Sequence, residues 1–119
     1  MENEYEQWIK KAEKDLDTAK YLINGEREEE GLFFLQQSAE KSLKAVYIKK
    51  FGKLLKTHDL VLLARKVNAP ENIHAICKRL TLSYQYTRYP DVIKKNAEEE
   101  IKEFMKDTTE IIKWTKRNL

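Results

Sequence analysis

The sequence predicts an all-α fold, an antiparallel up-down bundle of four to five helices. Three observations predict it. Apolar residues recur at i, i+3, i+4 and i+7 spacing through five successive segments, and no alternating strand pattern competes. Only three Gly and two Pro punctuate the chain, while Glu, Lys, Leu and Ala are common, a composition that favours helix. The breaks between segments are short, which suits antiparallel neighbours. At 119 residues the chain reads as one domain spanning 1–119. It is long enough to bury a core without a metal or disulfide staple.

The first helix spans about Glu4 to Asn24. Tyr5, Trp8, Ile9, Ala12, Leu16, Ala19 and Ile23 make its inner stripe, and charges fill the opposite face. Asn24-Gly25 ends it, with Gly25 expected in the left-handed cap geometry. Glu26 to Glu30 reads as a charged turn. The second helix runs from about Glu30 to Phe51, with Leu32, Leu35, Ala39, Leu43, Val46 and Tyr47 inward. Glutamates near its start and lysines near its end complement the macrodipole, and Gly52 stops it.

Thr57-His58-Asp59 opens the third helix, with Thr57 expected to cap the free amides and Asp59 to add charge in the first turn. Leu60, Leu63, Ala64 and Val67 form its inner face, and Asn68-Ala69-Pro70 ends it. The fourth helix covers about Asn72 to Tyr86, with Ile73, Ile76, Cys77, Leu80 and Tyr84 inward; Pro90 bars helix through Tyr89. The last starts near Asn96, a cap with Glu99 three residues on, and carries Ile101, Phe104, Met105, Thr108, Ile111, Ile112 and Thr115.

Charge narrows the function classes. Lys+Arg and Asp+Glu number 23 and 20, a net +3 that does not by itself indicate nucleic acid. The distribution says more. Lys41, Lys44, Lys49, Lys50, Lys53 and Lys56 fall in one stretch without an acid, while residues 26–30 are mostly glutamate. A basic patch opposed by an acidic loop is expected, against the plainer alternative of a solvated lysine face. The charged fraction of 36%, rich in Lys and Glu, would suit a thermophile. Cys77 is alone, so neither an intrachain disulfide nor a cysteine metal cluster is expected. No cofactor is expected either: there is no glycine-rich phosphate loop and no nucleophile elbow. No apolar run reaches membrane-spanning length and Met1-Glu2-Asn3-Glu4 is unlike a signal peptide, so a soluble cytoplasmic protein without membrane association is expected.

Three polar blocks are left over once helix periodicity is accounted for. Gln37, Glu40, Lys41 and Lys44 share one helical face, either a solvated face with intrahelical pairs or a surface for a partner or phosphate. His58 lies at a helix start, where free amides attract anions; it serves either as part of a cap or as a proton shuttle, with Asp91 a carboxylate that could orient it. Arg88 sits among Tyr84, Tyr86 and Tyr89 before Pro90-Asp91. Its fork suits phosphate or carboxylate, and the tyrosines suit a base or an interface, against a rigid turn tied by Arg88 and Asp91.

The order Gln36-Gln37-Ser38-Ala39-Glu40-Lys41-Ser42-Leu43-Lys44, then Thr57-His58-Asp59-Leu60, then Arg88-Tyr89-Pro90, resembles the HEPN domain family (higher eukaryote and prokaryote nucleotide-binding domains). The resemblance covers nearly the whole chain. It implies a HEPN-like helical bundle, a nucleotide-binding or interaction module, and a homodimer. It also implies the HEPN half of a two-component, toxin–antitoxin-like system with a minimal nucleotidyltransferase. The implied ligand- or partner-binding residues are Gln37, Lys41, Lys44, His58, Tyr84, Arg88, Tyr89 and Asp91, facing a nucleotide or RNA. The other reading is a metal-independent HEPN ribonuclease with His58 as general acid or base and Arg88 stabilising the transition state. HEPN ribonucleases carry an Arg followed, after four to six residues, by His. Here His74 comes too late after Arg65, Arg79 and Arg88 precede no histidine, and Arg27 has none nearby. With that motif absent, binding without catalysis is the expected activity.

Overall fold

The computed structural model describes residues 3–88 and 97–119, with side chains for 3–83 and 99–119. Five helices form in order: α1 (Glu4–Asn24), α2 (Glu28–Phe51), α3 (Leu60–Lys66), α4 (Glu71–Arg88) and α5 (Ala97–Arg117). No strand occurs among the described residues.

α1 and α2 form an antiparallel hairpin. Their contacts run in opposite order along the chain: Ala19 lies against Gly31, Ala12 against Ser38, Trp8 against Lys44 and Tyr5 against Lys49. Gly31 is there because a side chain would not fit. A Cβ at this position would fall 2.4 Å from Cγ1 of Ile23 and 3.3 Å from the Ala19 carbonyl. α5 returns antiparallel to α1, joined by Lys116 to Glu13 at 3.0 Å. α4 packs on α5 through Arg79, whose Nε and Nη2 donate to Oδ2 of Asp107 at 3.2 and 3.1 Å.

α2 is the axis of the bundle, packed by all four other helices. Its expected inner stripe is buried in full, and so are Ser38, Glu40, Ser42, Lys44, Ala45 and Ile48 around it. A helix packed by four others brings polar groups inside, where each needs a partner. Ser38 donates to the Ala12 carbonyl at 2.7 Å and Ser42 to the Ser38 carbonyl at 2.9 Å.

Several boundaries differ from the sequence expectation, each for a local reason. Gly25 is not left-handed (φ −89°); Glu26 is (φ 62°). The Arg27 amide reaches back to the Leu22 carbonyl and the Glu26 amide to that of Ile23, which makes Glu26 the left-handed residue of a Schellman end. α2 then begins at Glu28, so most of the expected charged turn is its first turn. Gly52 is left-handed (φ 73°) and stops α2 as expected. At the start of α3 the cap is Asp59, whose side chain accepts the Leu62 amide at 3.1 Å; Thr57 Oγ1 instead accepts the Asp59 amide. α4 starts one residue earlier than expected and ends two later. The Asn96 cap lies outside the described residues.

Candidate functional site

The segment between α2 and α3 turns back along α2. The Thr57 and Asp59 turns hold the backbone on either side of His58, and Lys50 donates to the Val67 carbonyl at 2.5 Å, tying the end of α2 to the end of α3. His58 thereby meets Glu40, 18 residues earlier. Its Nδ1 lies 3.1 Å from Oε1 and 3.3 Å from Oε2 of Glu40. Lys44, one turn after Glu40, donates to Oε2 at 3.0 Å. The Lys44 ammonium also lies over the Trp8 ring, 5.7 Å from its centroid.

Exposure divides this trio sharply. The side chains of Glu40 and Lys44 are 5% and 7% exposed, whereas that of His58 is 89% exposed. A buried ion pair thus carries a solvent-facing imidazole. A carboxylate accepts, so the Glu40 contact calls for a proton on Nδ1, while the ring itself is exposed. Such an arrangement can take a proton from, or return one to, a group approaching from solvent.

The face expected from Gln37, Glu40, Lys41 and Lys44 is therefore not one exposed surface. Glu40 and Lys44 turn in toward His58. Lys41 pairs with Asp15 across the hairpin, and Gln37 is half-buried. The reason is the central position of α2, which leaves little of its circumference to solvent. Of the expected lysine patch, Lys44 is enclosed, Lys41 and Lys50 are engaged, Lys49 lies 4.9 Å from the Tyr5 ring centroid, and Lys53 and Lys56 are exposed. The carboxylate that holds His58 is Glu40, the role considered for Asp91. The side chains of Tyr84 and Arg88, and the whole of Tyr89 and Asp91, lie outside the described residues.

Two titratable groups away from this cluster are perturbed. Burial pushes the Cys77 thiol up to about 12, so it stays protonated. Burial also raises Asp107 above the ordinary carboxylate range, partly offset by the Arg79 hydrogen bond and charge. The Arg79–Asp107 pair was not anticipated, since the two are 28 residues apart on different helices. Among the described residues no three His, Cys, Asp or Glu side chains gather as a metal site needs, and no helix is long and apolar enough to cross a membrane.

Known proteins place this arrangement in context. TT1696 from Thermus thermophilus superposes with a TM-score of 0.84 at 24% identity, covering 99% of this chain and 100% of that one, a likeness of fold. ST0689, described as an archaeal HEPN homologue, superposes with a TM-score of 0.76 at 31% identity, covering 97% of each chain. No curated protein matches. The HEPN domain model matches residues 5–119, a span that takes in all three polar blocks and every helix but the first residue of α1. Fold, motif order and family match agree, and the chain belongs to the HEPN domain family.

Proposed function

We propose that this chain is a HEPN interaction module that captures a phosphate-bearing ligand, a nucleotide or an RNA, at the face marked by His58. The observation that carries this reading is the outward imidazole anchored on the buried Glu40–Lys44 pair. A buried pair that serves only packing has no need to hold an exposed ring in one orientation. A fixed ring presents one defined nitrogen to a ligand at little entropic cost. By family resemblance, Arg88 with Tyr84, Tyr89 and Asp91 would complete the face, with Gln37 and Lys41 at its margin. The same resemblance supports a homodimer working as the HEPN half of a toxin–antitoxin-like pair with a minimal nucleotidyltransferase; a cytoplasmic, single-domain chain rests on the sequence's length and its lack of a signal-like start.

The test is calorimetric titration with ATP and with a short single-stranded RNA. Saturable binding is expected for one of them, weakened about tenfold or more in His58→Ala and in Arg88→Ala, a loss of about 1.4 kcal/mol. Binding indifferent to both substitutions would overturn the assignment of the face.

The Glu40–His58 contact favours a second reading as well, a metal-independent ribonuclease. A carboxylate on Nδ1 prepares Nε2 as a general base, with Arg88 stabilising the phosphorane-like charge. On this reading the protein cleaves the RNA, and His58→Ala slows it roughly 100-fold or more. Intact RNA after prolonged incubation with wild-type protein removes the reading.

A further inference from the structure

A second feature lies elsewhere, and the proposed function does not use it. The C-terminal half of α1 and α5 enclose an open groove of about 620 Å³, whose lining includes Lys20, Lys102, Met105, Lys106, Thr109 and Lys113. It shares no residue with the Glu40–Lys44–His58 cluster. The four lysines are all exposed, and none has an ion-pair partner among the described residues. The acid within the groove, Glu110, faces Arg117 at 3.7 Å. Farther along the same seam Glu13 is engaged by Lys116. The groove therefore presents a surplus of positive charge.

The helical spacing arranges that charge in a line. Lys102, Lys106 and Lys113 fall at i, i+4 and i+11 on α5, roughly 16 Å end to end, with Lys20 facing them from α1. Met105 and Thr109, both half-buried, make the floor. Among the described residues no aromatic side chain lines the groove to offer a stacking face for a base. Lysine is depleted from protein–protein interfaces. A row of exposed ammonium groups along one helix suits a row of phosphates.

The geometry points to this groove as a site for the phosphodiester backbone of single-stranded nucleic acid, bound without sequence preference. It makes no use of His58. The ligand enters as an extended strand along α5, its phosphates met in turn by Lys102, Lys106 and Lys113, with Lys20 closing the other side.

The test is fluorescence anisotropy of labelled oligo(U) and oligo(A) of equal length against a salt series. Each phosphate neutralised on a single strand contributes a slope of about −0.7 in log K against log salt. Four contacts predict about −3 for the wild type, with equal affinity for the two homopolymers. The triple variant Lys102→Ala/Lys106→Ala/Lys113→Ala should lose about tenfold or more at low salt, with its slope falling toward about −1. A triple control, Lys11→Ala/Lys14→Ala/Lys66→Ala, removes the same charge elsewhere from exposed positions and should bind nearly as wild type. The groove triple should leave any ATP binding at the His58 face intact while oligonucleotide binding falls, which separates the two sites. An equal loss in both triples, no wild-type binding at low salt, or a strong preference for one homopolymer would overturn the proposal. So would polyglutamate of matched charge displacing the RNA at equal concentration, because the groove would then be a site for an acidic protein chain.

Discussion

Glu40 shares one carboxylate between two basic side chains, and this governs what substitution there should do. Burying a charge without its partner is costly, whereas removing both partners together costs much less. Lys44→Met alone should therefore destabilise the protein by about 3 kcal/mol, and the double variant Glu40→Leu/Lys44→Met should recover most of that loss in urea unfolding. The double variant also frees His58 from its tether, so any ligand binding at that face should fall while the fold persists. Asp107 makes a different prediction. Its folded pKa lies above the ordinary value, chiefly through burial. Between those two values the native state binds more protons than the unfolded state. Asp107's contribution is thus most favourable below the ordinary pKa and declines as pH rises through the raised one. Asp107→Asn should flatten the fall of stability with rising pH in that acidic window, measured by urea midpoints at a series of pH values. Arg79 is 47% exposed, so its pairing offsets little of this.

The helix ends carry a prediction that reverses what the sequence suggests. Gly25 lies near helical geometry, and a Cβ there would meet the Tyr21 carbonyl at 3.4 Å, ordinary contact. Glu26 holds the left-handed position. Gly25→Ala and Glu26→Gly should each raise stability, by about 0.5–1 kcal/mol, seen as higher thermal midpoints. The glycine was legible as a stop signal, but which of two adjacent residues turns left-handed depends on the back-bonds to Leu22 and Ile23. The amphipathic helices α1 and α5 were legible because one face is apolar and the other charged. α3 was legible from its inner face, although the cap falls to Asp59 and Thr57 instead holds the Asp59 amide. α2 was legible as a helix and its apolar stripe was right, yet its polar residues were misjudged. Glu40 and Lys44 look like a surface pair at i, i+4 spacing, and only enclosure by four neighbouring helices turns them inward. His58 was recognisable at a helix start. Its partner was not, since a contact between a loop and the middle of an earlier helix leaves no mark in sequence spacing.

The helices close on one another around α2, and Cys77 offers a probe of how they open. The thiol is fully buried on α4, and its ionisation is pushed up to about 12. A disulfide reagent attacks thiolate, so the native protein should react only through opening. Labelling in increasing urea should give an opening free energy. Agreement with the global unfolding value would mean that α4 separates only when the bundle does, and a smaller value would mean that α4 detaches alone.

The buried pair at the centre of α2 also changes meaning with heat. The penalty for stripping water from charges shrinks as temperature rises, while the gain from apolar burial levels off. The apolar replacement of Glu40 and Lys44 should therefore compare best with the wild type in the cold and lose ground steadily on warming. The same pair that costs stability at room temperature should thus cost less as the protein is warmed, while it goes on holding a histidine at the surface.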